Sequence, residues 1–259
     1  MAELTRRDVL KLAAAGAAAT VPGLPCPAPA QTTRKRQLAV AQGGDFAQFD
    51  PHMSTSSNDI RISFNIFDNL TSRRPDGKLA PGLATEWKLQ GQTTWVFKLR
   101  SGVKWHNGDP FSAADAKASI ERTYDPSAKM RVNTVFTTVD RIEAPDPTTL
   151  IIHTKKPDPL LPARLGFYGG QIVPKKYVES VGAETFNQKP IGTGPLRFVS
   201  WTKDDRVVLE ANGDYWGGKP DFDRLIVRAV PEMAPRIAAT VAGVDEMHGG
   251  SPTPLAPSG

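Results

Sequence analysis

Cysteine is nearly absent from this chain: Cys26 is the single thiol in 259 residues. One cysteine forms no internal disulfide and no thiolate cluster for a metal. Long apolar runs are missing too. Past residue 30 nothing approaches the ~20 consecutive apolar residues of a membrane-spanning helix, so the mature protein is expected to be soluble. No Gly-x-Ser-x-Gly elbow occurs, which removes the common α/β-hydrolase arrangement. The four histidines, His52, His106, His153 and His248, show no His-x-x-x-His spacing or other metal-ligand pattern. Positive charge is in excess, with a formal net charge of +5, yet Lys and Arg are interleaved with Asp and Glu. That pattern reads as a solvated basic surface, and no nucleic-acid partner is expected.

What is present begins with an export signal over residues 1–30. Thr5-Arg6-Arg7-Asp8-Val9-Leu10-Lys11 precedes an Ala/Gly-rich apolar stretch from Leu12 to Val21, and Ala28-Pro29-Ala30 supplies an Ala-x-Ala cleavage site. The paired arginines and the modest hydrophobicity predict the twin-arginine route and a periplasmic location. Cys26 would fit an acylated lipoprotein site poorly, because Leu24 stands one place too near and Pro25 occupies a position that wants a small residue. Cleavage after Ala30 leaves a mature chain with no cysteine.

The most informative stretch runs from Leu83 to Tyr124. Thr85–Leu89 reads as a strand with Trp87 and Leu89 on one face, Gln90-Gly91-Gln92 as a turn, and Thr94–Leu99 as a second strand presenting Trp95, Phe97 and Leu99 together. His106-Asn107-Gly108-Asp109-Pro110 is a dense turn signal, since Asn-Gly accepts positive φ and Pro fixes the exit. Ser112, with Asp115 three residues on, predicts a capping box for a helix over Ala113–Tyr124. The three tryptophans Trp87, Trp95 and Trp105 are assigned to packing.

Before this stretch, Leu38–Ala41 predicts a short strand leading to a turn at Gln42-Gly43-Gly44-Asp45. Phe49-Asp50-Pro51-His52 follows, with His52 and Met53 flanking a turn. Ser57 is expected to cap a helix in which Ile62, Ile66 and Leu70 form one stripe and Ile60, Phe64 and Phe67 another. After it, Val139–Ile142 and Thr148–His153 read as strands around Ala144-Pro145-Asp146-Pro147. Further strands are expected over Arg197–Trp201, Val207–Ala211 and Leu225–Val230, with a helix around 235–241. Gly192-Thr193-Gly194 is a tight turn lacking the Lys and Ser/Thr of a phosphate loop, and Trp216-Gly217-Gly218 is read as a surface turn.

Three segments in order, EW…WVFKLRSGVKWHNGDPFSAADAKASIER, PIGTGP and NGDYWGGKP, resemble the signature of family 5 extracytoplasmic solute-binding proteins, the peptide, opine and nickel binders that feed ABC importers. The resemblance covers Gln37 to Asp245. It implies an α/β fold, the first lobe of a two-lobed periplasmic-binding-protein type II-like architecture with an inserted α+β subdomain. On that pattern residues 31–75 and 188–259 form the lobe and residues 76–187 the insertion. It also implies a non-enzymatic role without cofactor: a monomeric mature chain captures a peptide or similar small polar solute and delivers it to an ABC permease. The ligand-facing positions it implies are Gly44 and Asp45, the segment Thr55, Ser56, Asn58 and Asp59, and the loop Tyr168, Gly169 and Gly170. Tyr168 could stack on a ligand ring or bond a ligand carboxylate, or equally be an interfacial tyrosine with a buried ring. Asn58 and Asp59 also read as helix-cap residues. A nickel or haem carrier is the alternative within the family.

The family pattern ordinarily continues for about as long again. Here Glu246 onward becomes a Pro/Gly/Ser tail, 246–259, with no periodicity. The second lobe is therefore expected to be missing, and the chain reads as a truncated or frameshifted product. Weak or no ligand binding by the chain alone follows, because one lobe supplies half the contacts.

Overall fold

Residues 36–235 are described in the computed structural model of the protein. The signal segment and the tail from 246 lie outside the described residues; of the helix expected around 235–241 only residue 235 is described, and residues 233–235 are helical.

Two four-stranded sheets organise this region. The first is built from β1 (Gln37–Gln42), β8 (Leu196–Thr202), β9 (Arg206–Ala211) and β10 (Arg224–Ala229), in the order β1-β10-β9-β8. β1 lies parallel to β10, while β8, β9 and β10 are antiparallel neighbours. The second sheet is a continuous stretch of chain: β4 (Ala84–Gln90), β5 (Thr94–Leu99), β6 (Val139–Asp146) and β7 (Thr149–Thr154), ordered β4-β5-β7-β6 and antiparallel throughout. A small ladder of β2 (Thr71–Arg73) and β3 (Leu79–Pro81) precedes it.

Each sheet carries its own apolar cluster. Phe97, Leu150 and Ile152 of the second sheet pack with Phe136, Trp105 and with Ile120 of α2 (Ala113–Tyr124). Phe46, Phe49 and Leu209 pack with Ile62 and Ile66 of α1 (Ser57–Ile66) and with Phe186 of α4 (Lys175–Gln188). Phe49 is ringed by aromatic edges, from Phe198 at 4.8 Å and Trp201 at 5.7 Å between centroids. α4 is broken at Gly182, whose φ of 78° a helix does not tolerate. Between them the chain makes one further turn, α3 (Leu161–Arg164).

The hairpin and capped helix form over the expected residues. The Asp115 carboxylate accepts the Ser112 backbone N–H at 3.0 Å and its hydroxyl at 2.9 Å. Gly91 and Gly108 take φ of 66° and 92°, as their turns require.

Three local expectations need correction. Ser56, not Ser57, is the N-cap of α1; it makes no side-chain cap bond, and its backbone N–H donates to the Ser54 hydroxyl at 3.0 Å. Phe67 and Leu70 are buried, but they lie beyond the helix, which ends at Ile66, and Phe64 is exposed. Leu89 is exposed although Trp87 beside it packs on the core. Trp216-Gly217-Gly218 is the surface turn expected, closed by the Gly218 N–H on the Tyr215 carbonyl at 3.0 Å, but the Trp216 side chain is half-buried: its indole N–H donates to Asp68 at 2.8 Å and the Arg100 guanidinium sits 4.3 Å over its ring.

Candidate functional site

Polar groups gather where the two sheet regions meet. The Asp50 carboxylate receives both terminal nitrogens of Arg122, pairing the loop after β1 with α2. His52 is fully buried beside this pair. Its Nε2 lies 2.9 Å from the Gln171 carbonyl, and its Nδ1 lies 3.3 Å from an Arg122 nitrogen. A carbonyl can only accept and a guanidinium can only donate, so the ring is neutral with its proton on Nε2. Burial, with the Arg122 charge adding to it, brings its pKa from 6.5 down to about 4. The turn expected at His52 and Met53 is present, closed by the Met53 N–H on the Asp50 carbonyl at 3.0 Å, and the His52 ring it carries is buried.

A second stitch lies at the opposite turn. His106 accepts the Gly192 N–H on Nδ1 at 3.2 Å and donates from Nε2 to the Gly194 carbonyl at 3.0 Å. Burial lowers its pKa to about 4 as well. Gly192 and Gly194 lie against the backbone of Ile66, where a Cβ on Gly192 would stand 1.8 Å from the Ile66 oxygen. Thr193 donates to Asp68 at 2.9 Å, joining Tyr215 and Trp216 on that carboxylate. Burial raises the pKa of Asp68 and the three donors pull it back. The Gly-Thr-Gly segment is a packing junction.

Two clefts open near these stitches. One, of about 430 Å³, is bordered by Phe64, Asp68, Arg73, Phe167 and Trp216. Its carboxylate is already engaged by three donors, and Arg73 lies over the Phe167 ring at 5.9 Å. The other, of about 380 Å³, is lined by Ala47, Gln48, Met53, Ser54, Thr55, Ser56, Asp59 and Arg131. It is near the lower end of small-molecule sites in size.

Of the positions singled out in the sequence, the structure brings Thr55, Ser56 and Asp59 into this second cleft. Asp59 is buried and faces inward, taking the Ala47 N–H at 3.0 Å and the Ser54 hydroxyl at 2.5 Å, so it braces the loop. Asn58 is half-buried, and its side chain crowds Gly44, where an added Cβ would lie 2.7 Å from the amide nitrogen. Asp45 is turned away to the β8–β9 turn, accepting the Asp204 N–H at 2.9 Å. Gly169 lies within reach of Val132 and Val135 and gives its N–H to the Gln171 side chain at 2.8 Å. Gly170 is buried against the Leu165 carbonyl, and Tyr168 is half-buried with its ring edge-on to Phe167 at 4.9 Å. None of Tyr168, Gly169 and Gly170 lines the cleft. Arg131 and Gln48 were missed. They sit in irregular segments far apart in sequence, and hydrogen bonds from the Arg131 and Val132 N–H groups to the His52 carbonyl, at 3.0 and 3.4 Å, draw Arg131 to the loop.

Among the described residues no group of three or more His, Cys, Asp or Glu side chains is arranged to hold a metal ion, and no helix is long and apolar enough to cross a membrane.

The arrangement is an α/β lobe with two clefts beside its buried polar stitches, and comparison with known proteins says which class it belongs to. Residues 78–257 match the family described as bacterial extracellular solute-binding proteins, family 5 Middle, so the chain belongs to that family. Residues 3–23 match the twin-arginine translocation signal, and the protein is exported to the periplasm. The chain is 29% identical over 210 residues to the glutathione-binding protein GsiB of Pectobacterium atrosepticum, covering 80% of this chain and 41% of that protein. Among solved structures it resembles NikZ from Campylobacter jejuni in complex with Ni(L-His), with 30% identity, a TM-score of 0.74, and coverage of 79% of this chain and 41% of the other. It also resembles the periplasmic binding protein DppA from Helicobacter pylori in complex with peptide STSA, at 28% identity and a TM-score of 0.73, covering 79% and 45%. The chain therefore spans somewhat under half the length of the relatives it matches, which is the extent of a single lobe.

Proposed function

We propose that these residues form one wall of the solute site of an ABC importer's binding protein, and that the solute is a short peptide or a similar small polar molecule passed on to the permease. The observation that carries this reading is the convergence, in one cleft, of Thr55 and Ser56 from the loop before α1 with Arg131 from the segment after α2. The division into residues 31–75 with 188–259 and an insertion over 76–187 belongs to the same proposal. It is supported by the strands of the first sheet falling outside 76–187 and those of the second falling inside. Gly44, Asn58 and the Tyr168–Gly170 loop do not line this cleft, and Asp45 serves the neighbouring turn. The relatives' peptide, glutathione and nickel-histidine ligands are all small and polar, which favours the same class of solute here.

One wall gives about half of an enclosed ligand's contacts, so the affinity of these 259 residues by themselves is weak. Titration of the ¹⁵N-labelled chain with a mixture of di- to tetrapeptides tests the reading. Amide shifts confined to residues 47–59 and 131–133, saturating only in the millimolar range, are expected. Shifts confined to the other cleft, around 64–73 and 215–216, would refute it.

A further inference from the structure

The second cleft holds one cation and one carboxylate, and they face different tasks. Both oxygens of Asp59 are engaged from inside the loop, one by the Ala47 N–H and the other by the Ser54 hydroxyl. Ser54 in turn accepts the Ser56 N–H at 3.0 Å. These groups are spent on holding the loop. What remains for an incoming molecule is the exposed side of the wall: the Thr55 and Ser56 hydroxyls, the Gln48 amide and the Arg131 guanidinium. Among the described residues none of these four side chains has a hydrogen-bonding or ionic partner.

Arg131 is nevertheless held in place. Its N–H and that of Val132 both donate to the His52 carbonyl, at 3.0 and 3.4 Å. His52 itself is buried and tied to Gln171, and the preceding Asp50 is paired with Arg122. The backbone that carries the guanidinium is therefore anchored to the same loop that carries the hydroxyls. A free guanidinium, a planar fork of donors, in a cleft also lined by Thr55, Ser56 and Gln48, matches a carboxylate, which accepts two parallel N–H bonds and further donors at its remaining lone pairs.

We propose that Arg131 is the specificity-determining residue of this wall and that the solute presents a carboxylate to it, with Thr55, Ser56 and Gln48 completing the contact. The inference rests on the reading of this cleft as the solute wall and adds the charge of the solute to it. A peptide C-terminus and an acidic side chain carry the same group, and the test separates them.

The probes are tri-alanine, tri-alanine amide, and N-acetyl-Ala-Glu-Ala amide, each titrated into the ¹⁵N-labelled chain and into its Arg131→Gln and Arg131→Lys variants. Arg131 is exposed and its side chain supports nothing else, so both variants fold, as a circular dichroism melt verifies. In the unmodified chain tri-alanine is expected to bind about tenfold more tightly than its amide, the effect of one charge-assisted hydrogen bond. A similar gain for the glutamyl peptide over tri-alanine amide assigns the carboxylate to a side chain as well, whereas no gain restricts it to the C-terminus. Arg131→Gln is expected to abolish the preference and Arg131→Lys to retain part of it. Equal binding of acid and amide by the unmodified chain, with shifts at 47–59 intact, overturns the inference and leaves the solute wall standing. A preference that survives in Arg131→Gln overturns it too. Shifts at these residues by none of the probes overturn both.

Discussion

The two sheet regions are held together by different means. The second sheet, β4 to β7, closes within 71 consecutive positions, Ala84 to Thr154, through antiparallel neighbours, with tight turns joining β4 to β5 and β6 to β7 and α2 in the connection from β5 to β6. The first joins β1 to β10 in parallel, with Gln37 opposite Arg224 across most of the described chain. Closing so long a loop costs chain entropy before its contacts form, whereas a hairpin gains its contacts early. The difference teaches where specificity must be supplied. A local hairpin is specified by its own turn and cap, but a distant strand needs a built junction. Here the junction is the set of buried polar stitches: Asp50 with Arg122, His52 with Gln171, His106 with Gly192 and Gly194, and Asp68 with Thr193, Tyr215 and Trp216.

If that contrast is right, damage at the junction should exceed damage inside the local region. Gly192→Ala carries the largest expected effect. Its Cβ would stand 1.8 Å from the Ile66 oxygen, and that atom is backbone, so it cannot swing aside. A loss of more than about 4 kcal/mol in urea unfolding, or no folded protein at all, is expected. Arg122→Ala comes next, because it strands the buried Asp50 carboxylate; a loss of about 3 kcal/mol is expected from the same measurement.

Acid should act on the junction as well. His52 and His106 are held near pKa 4 in the folded chain and return towards 6.5 when it unfolds. Between those values the unfolded chain binds more protons, so these groups make stability rise with pH through the window and level off above it. Asp68, raised by burial, contributes the opposite slope starting at the ordinary carboxylate range. Lowering pH from 7 to 4.5 is expected to remove about 2 kcal/mol for each histidine. A His106→Gln variant should show roughly half the histidine-dependent slope. The smallest effect belongs to the local region: Asp115→Ala, which opens the capping box on α2, is expected to cost about 1 kcal/mol.

The same contrast explains what could be read from the residues alone. The β4–β5 hairpin, the turn at Gly108 and the Ser112/Asp115 cap depend on groups a few positions apart, and they form where the pattern predicts. The solute wall is different. Thr55, Ser56 and Asp59 were legible only through resemblance to the family, and the inward turn of Asp59 depends on Ala47 and Ser54 meeting it in space. Asp45 looked as available as its neighbours until the β8–β9 turn claimed it through the Asp204 N–H. Arg131 gave no signal, because nothing near it in sequence tells that its backbone bonds to His52. The turn at Trp216 is legible, but the hold on its indole is not, for the same reason: its partners Asp68 and Arg100 are more than a hundred residues away.

Photo-affinity labelling tests the central claim, that solute meets the chain in the cleft between the loop before α1 and the segment at Arg131. A tripeptide with a free carboxylate and a diazirine on its central side chain would be irradiated with the protein, and the adducts mapped by mass spectrometry. The account predicts adducts concentrated on residues 47–56 and around 131, competed away by excess unlabelled tripeptide. Competed adducts on residues 64–73 and 215–216 instead would contradict it.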